Sequence, residues 1–125
     1  MTDSILVVDD SLMVRKQVSA ALKAIGYVVL EAVDGVEALE RLKDCPQTRL
    51  IVSDVNMPRM DGLELLEQLR SKHPLIPVVM LTTEGQPELI ARAKALGAKG
   101  WLVKPFKPES LAATAKKLAP LAVPA

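Results

Sequence analysis

Short apolar runs alternate along this chain with segments whose apolar residues recur at helical spacing, and that alternation leaves few folds open. Ile5 to Val8, Val28 to Ala32, Leu50 to Ser53, Val78 to Leu81 and Trp101 to Val103 read as strands. Strands separated by helices run parallel, because a parallel neighbour is reached only through a long crossover. With right-handed crossovers, five such β/α units make one doubly wound parallel sheet, an α/β fold. A chain of 125 residues supports one such domain, hiding roughly two thirds of the surface that its unfolded form exposes.

The connecting segments carry their own start and stop signals. Apolar residues at 14, 18, 21, 22 and 25 predict a first helix, which Ser11 caps and Gly26 ends. Asp34-Gly35 turns into a second, with Val36, Leu39 and Leu42 inward and Pro46 closing the unit. Asn56 to Gly62 is a loop; Asp61 then caps a third helix bearing Leu65, Leu66 and Leu69, and Glu64 completes a capping box. Pro87 opens a fourth helix, carrying Leu89, Ile90, Ala93 and Leu96 and ended by Gly97. Pro108 opens a fifth, with Leu111, Ala115 and Leu118 inward. Residues 1–120 are expected to form the domain and 121–125 a short frayed tail, with no output domain.

Four of the runs end on residues suited to phosphate chemistry: Asp9 and Asp10, then Asp54, Thr82 and Lys104. Parallel topology gathers these at one sheet edge, in the crevice where open α/β sheets bind ligands. Asp10 and Asp54 resist sharing that space unless something positive relieves them. A hard cation taking carboxylate oxygens, a backbone carbonyl and waters meets the need, and Mg²⁺ is the usual choice, with Asp9 helping through a bound water. One carboxylate then attacks phosphorus while the cation and Lys104 neutralise the phosphoryl oxygens and Thr82 hydrogen-bonds another. Singly, an Asp after a strand is a helix cap, a Thr fills a β position and a Lys snorkels to water. Their joint placement at the same end of four strands carries the chemical reading. His73, beside Pro74 at a helix end, reads as a solvated terminus residue.

Composition narrows the partners. The net charge of +1 comes from acids and bases mixed along the chain, which provides no field for nucleic acid or anionic lipid. Tyr27, Trp101 and Phe106 are the only aromatics, so no base-stacking platform exists. The first apolar run is too short for a signal segment or membrane span, and the expected location is cytoplasmic. Cys45 is the only cysteine, which rules out an internal disulfide. No GxxxxGK[ST] loop follows the first strand, so nucleotide binding of that kind is excluded.

With Val7-Val8-Asp9-Asp10, Asp54-Val55-Asn56-Met57-Pro58, Met60-Asp61-Gly62, Leu81-Thr82 and Lys104-Pro105-Phe106 assembled, the chain resembles the receiver domain of bacterial two-component response regulators, and the stand-alone chemotaxis type in particular. The resemblance implies a flavodoxin-like sheet of order 2-1-3-4-5. It implies Asp54 as phospho-acceptor, Asp10, Asp54 and the Asn56 carbonyl as Mg²⁺ ligands, Asp9 as acidic support, and Thr82 and Lys104 as phosphoryl contacts. The resemblance also implies a cis peptide before Pro105 that aims Lys104 into the pocket. Trp101 takes the switch position, usually Tyr or Phe, and Thr83 stands where a smaller residue is usual. Asn56 and Glu84 flank the path of the water that removes the phosphoryl group.

The implied partners are a sensor histidine kinase or histidine phosphotransfer domain as donor and a downstream protein target, such as a motor switch, that meets the face of the fourth helix, fifth strand and fifth helix. The protein is then a monomer or a phosphorylation-dependent dimer, a signalling acceptor with self-phosphotransfer and autodephosphorylation only. The alternatives are an intermediate carrier in a multistep phosphorelay, a Mg²⁺-dependent phosphohydrolase, and a phosphate-independent interaction module. Asn56 stands where such hydrolases place a second acid, which argues against the hydrolase; the intact Asp10, Asp54, Thr82 and Lys104 set argues against the inert module.

Overall fold

The computed structural model describes residues 4–57, 59–82 and 87–120. Strands β1 (Ser4–Val8), β2 (Val28–Ala32), β3 (Thr48–Asp54), β4 (Val78–Thr82) and β5 (Gly100–Val103) alternate with helices α1 (Leu12–Lys23), α2 (Gly35–Asp44), α3 (Gly62–Lys72), α4 (Pro87–Ala95) and α5 (Pro108–Leu118). The five strands form one parallel sheet in the order β2-β1-β3-β4-β5. The chain thus winds outward from β1 in both directions, and its strands all end at the same edge.

The inner strands β1, β3 and β4 bury both faces while the edge strands β2 and β5 are only partly covered, and the period-2 alternation of side chains divides the core into two layers. Leu6, Val8, Ile51 and Met80 face one way and pack with Ala38 and Leu42 of α2, Leu65, Leu66 and Leu69 of α3, and Ala93 of α4. Ile5, Val7, Leu50, Val52, Val79 and Leu81 face the other way, against Val18 and Leu22 of α1 and Leu111 and Ala115 of α5. Truncating a fully buried leucine such as Leu6 or Leu50 to Ala removes about 2–5 kcal/mol in a core of this kind.

The helix ends follow the sequence signals. The Ser11, Asp34 and Asp61 side chains accept hydrogen bonds from the main-chain N–H groups of Val14, Glu37 and Glu64. Glu64 returns a bond to the Asp61 N–H, completing the capping box. Gly26 and Gly97 take the positive φ values that end their helices.

Two local expectations shift. In α2 the deepest side chains are Ala38 and Leu42, while Val36 and Leu39 are only partly buried; the small Ala38 side chain lets the helix backbone approach the sheet. β3 begins at Thr48, ahead of the apolar run, because parallel pairing with β1 already starts there.

Candidate functional site

The register of the sheet explains why the polar residues meet. Val8 pairs with Ser53, Asp54 with Leu81, and Thr82 with Val103, so Asp9, Asp54, Thr82 and Lys104 all lie within a residue of the same edge. Asp9, Asp54 and Thr82 are buried, Asp10 is exposed and Lys104 is half-buried. One carboxylate oxygen from each of Asp9, Asp10 and Asp54 can be chosen so that all three lie within 4.8 Å of one another.

A single ammonium group is set among them. Lys104 Nζ lies 2.9 Å from Asp9 Oδ2 and 3.4 Å from Asp54 Oδ1. Its backbone is tied to the neighbouring strand by a 2.6 Å bond from the Lys104 N–H to the Thr82 carbonyl. The Lys104–Pro105 peptide is cis, as the family resemblance implies. Asp9 is held on both oxygens, since Oδ1 accepts the Ser11 N–H at 2.9 Å while Oδ2 meets Lys104. Arg15 donates to the Asp9 carbonyl at 2.7 Å and pairs with Glu31 at 3.2 Å, bracing the turn from the other side.

Asp54 is differently placed. Its Oδ1 accepts the Val55 N–H at 2.8 Å. Burial pushes its carboxyl above the usual carboxylate range, the charge of Asp9 adds to that, and Lys104 pulls the other way. A site with three acids and one cation is short of positive charge, and its donors are hard oxygens. That donor set fits Mg²⁺, which binds through one or two carboxylates and keeps several waters.

Of the other expected residues, Asn56 is exposed, two residues beyond the end of β3. Trp101 sits on β5 opposite Met80, part-buried against the layer that carries α3 and α4, and its Nε1–H is buried without a partner among the described residues. Pro58, Thr83, Glu84 and the tail at 121–125 lie outside the described residues. His73 is the C-cap of α3 and is half-buried, lining a small cavity with Leu69, Pro74 and Ile76. Cys45 is a half-buried free thiol.

Sequence reasoning passed over two contributors. Arg15 carries no signal beyond helical spacing, yet it reaches back to the Asp9 carbonyl. Arg59 forms a two-pronged ion pair with buried Asp34, Nε to Oδ2 at 2.7 Å and Nη2 to Oδ1 at 3.2 Å, joining the β3–α3 loop to the head of α2. No helix among the described residues is long and apolar enough to cross a membrane.

The family model for the response regulator receiver domain matches residues 5–116. Chemotaxis protein CheY1 of Helicobacter pylori is 42% identical over 110 residues, covering 86% of this chain and 89% of that protein. Chemotaxis protein CheY of Treponema pallidum is 42% identical over 104 residues, covering 82% of this chain and 72% of the relative. Among solved structures, chemotaxis protein CheY4 of Vibrio cholerae superposes with a TM-score of 0.87 at 44% identity, covering 94% of this chain and 99% of its own. A CheX-CheY-BeF3-Mg²⁺ complex from Borrelia burgdorferi superposes with a TM-score of 0.87 at 27% identity, covering 92% of this chain and 87% of that one.

Proposed function

The chain belongs to the response regulator receiver domain family, and from that premise we propose that it accepts a phosphoryl group from a phosphohistidine onto Asp54 in a Mg²⁺-dependent reaction, switches a protein-binding face, and then loses the phosphoryl group by hydrolysis. The observation that carries this reading is the convergence of three carboxylates within 4.8 Å, with Lys104 between Asp9 and Asp54. The receiver unit spans 1–120 in this reading, and its location is the cytoplasm.

Asp10, Asp54 and the Asn56 carbonyl would hold Mg²⁺, with Asp9 supporting it through a water. When bound, the ion supplies positive charge to the pocket and to the phosphoryl oxygens. An Asp54 oxygen attacks phosphorus, an acyl phosphate P–O bond forms, and the P–N bond to the donor imidazole breaks, the departing nitrogen keeping the electron pair and taking a proton from water. Lys104 turns from the carboxylates toward an incoming phosphoryl oxygen, so its charge is used where charge develops. The Thr82 hydroxyl donates to a second oxygen.

Asp54's raised proton affinity has the same origin as its role: a carboxylate poorly neutralised at rest gains most when positive charge arrives. In a second step water attacks phosphorus, the P–O bond to Asp54 breaks, and inorganic phosphate leaves; Asn56 and Glu84 set the lifetime. Movement of Thr82 toward the phosphoryl group opens space on the β4–β5 side, and Trp101 turns in, reshaping the face of α4, β5 and α5 for a downstream protein of the chemotaxis type. The homologues named as chemotaxis proteins support that choice of pathway.

Adding Mg²⁺ with acetyl phosphate or beryllofluoride while following Trp101 fluorescence tests the proposal. A saturable change that disappears in Asp54→Ala is expected. No change, or an identical response in the variant, overturns it.

A further inference from the structure

The residue that follows Pro58 has a backbone conformation that its side chain disfavours. Arg59 has φ 62°, in the left-handed region where Gly or Asn is the ordinary occupant. Its turn sends the guanidinium back to Asp34, where it makes a fork of two bonds with a carboxylate that is almost wholly buried. The same Asp34 Oδ1 accepts the Glu37 N–H, so one carboxylate both caps α2 and receives the arginine. The Arg59 fork holds that carboxyl below the usual range against the effect of burial.

One residue further on, the Met60 carbonyl accepts the Gly35 N–H at 3.2 Å. The chains approach so closely there that a Cβ on Gly35 would lie 2.7 Å from Met60 Cγ. At the other end of the loop the Val55 carbonyl accepts the Gly62 N–H at 2.7 Å, and the Val55 N–H binds Asp54 Oδ1 at 2.8 Å. Asn56 and Met57 are therefore suspended between two anchors, one on the acceptor strand and one on the head of α2. Only the second depends on a strained residue.

We propose that Arg59 is a positioning residue: its clasp on Asp34 holds the β3–α3 loop in one conformation and thereby supports the Asn56 main-chain carbonyl, which would ligate a divalent cation. This rests on the metal-binding part of the reading above. A plain surface ion pair contributes little, and a glycine would adopt this φ without strain. The clasp explains why an arginine is used instead: strain at Arg59 is tolerated because the fork gives the loop one geometry.

The test measures Mn²⁺ affinity by the electron paramagnetic resonance signal of the free ion, with Mg²⁺ as competitor, alongside amide hydrogen exchange without metal. Arg59→Gly relieves the backbone while removing the fork, so folding is expected to be retained. Asp34→Ser keeps a capping oxygen and removes the carboxylate. Each is expected to weaken Mn²⁺ binding by about tenfold, the scale of outer-shell metal-site changes. The double variant should be no weaker than either single one, and Arg59→Lys, which keeps charge but loses the fork, should be intermediate.

In metal-free Arg59→Gly the amides of Asn56, Met57 and Met60 should exchange faster, with those of β1 and β4 unchanged. Unaltered Mn²⁺ affinity in a folded Arg59→Gly overturns the proposal, as does unaltered loop exchange. If the unsubstituted protein takes up no Mn²⁺, the metal-binding reading fails instead, and loop exchange still decides whether the clasp orders the loop.

Discussion

Asp34 and Asp54 are both buried aspartates at or just beyond the ends of strands of the same sheet, and they are shifted in opposite directions. Asp34 meets the Arg59 fork and the Glu37 N–H at the head of α2. Asp54 faces Asp9 and shares one lysine with it. The first carboxyl is held below its ordinary value by a hydrogen-bonded cation, and the second is pushed above it by burial and a like charge. A carboxylate whose charge is matched within the fold serves as structure. One left short of positive charge is available to a metal ion and a phosphoryl group.

The largest expected effect breaks the comparison at its reactive side. Asp54→Asn keeps the shape and removes the charge, so phosphoryl uptake from a phosphohistidine donor, followed by radiolabel transfer, is abolished. The same variant should be more stable than the parent in the absence of metal. A carboxyl with a raised folded-state pKa contributes stability that is present below its unfolded value and lost as pH rises through the folded one. At neutral pH Asp54 therefore opposes folding, and Asp54→Asn should raise Tm by a few degrees in calorimetry. A lower Tm would contradict the charge shortage inferred for the site.

Lys104→Ala comes next. Loss of a preorganised cation aimed at developing charge lowers phosphoryl-transfer rates by roughly 10²–10³-fold, measurable with acetyl phosphate. It also strips Asp9 of its ion-pair partner, leaving only the Ser11 N–H, and removing one member of a buried pair destabilises by about 3 kcal/mol, to be read from urea unfolding. A larger effect on rate than on folding would show that the lysine matters more to chemistry than to architecture.

The smallest effect sharpens the other side. Asp34→Asn keeps a good N-cap and loses the ion pair with exposed Arg59, so its effect on stability at neutral pH is small. Its pH signature is more telling. With a lowered folded-state pKa, Asp34 contributes stability present above the ordinary aspartate value of 3.8 and lost as pH falls through the folded value. The parent should lose stability faster than Asp34→Asn below about pH 4. Identical acid unfolding curves would remove Asp34 from the matched-charge class.

How much of this was legible beforehand depended on the distance over which each interaction acts. The strands, their order of appearance, the caps at Ser11 and Asp61, the turn at Asp34-Gly35, and the stops at Gly26 and Gly97 follow from local patterns a few residues long. The gathering of Asp9, Asp10, Asp54, Thr82 and Lys104 was also legible, because parallel strands joined by helices necessarily end at one edge. The inward face of α2 was misjudged around Val36 because hydrophobicity alone does not reveal how closely Ala38 lets that helix approach the sheet. The Arg59 clasp spans 25 residues of chain and hinges on a left-handed non-glycine residue. Nothing in local composition announces either.

The amino-acid sequence by itself determined that this protein is a doubly wound α/β domain with acids, a hydroxyl and a lysine at one edge, because alternation, capping and crossover handedness are short-range rules. Only the tertiary structure decided which charges are matched. Lys104 lies between Asp9 and Asp54, while Asp34 receives an arginine of its own. Coulomb energies in a partly buried site depend on separations of a few ångströms between distant parts of the chain, and those separations are set only when the whole core has packed.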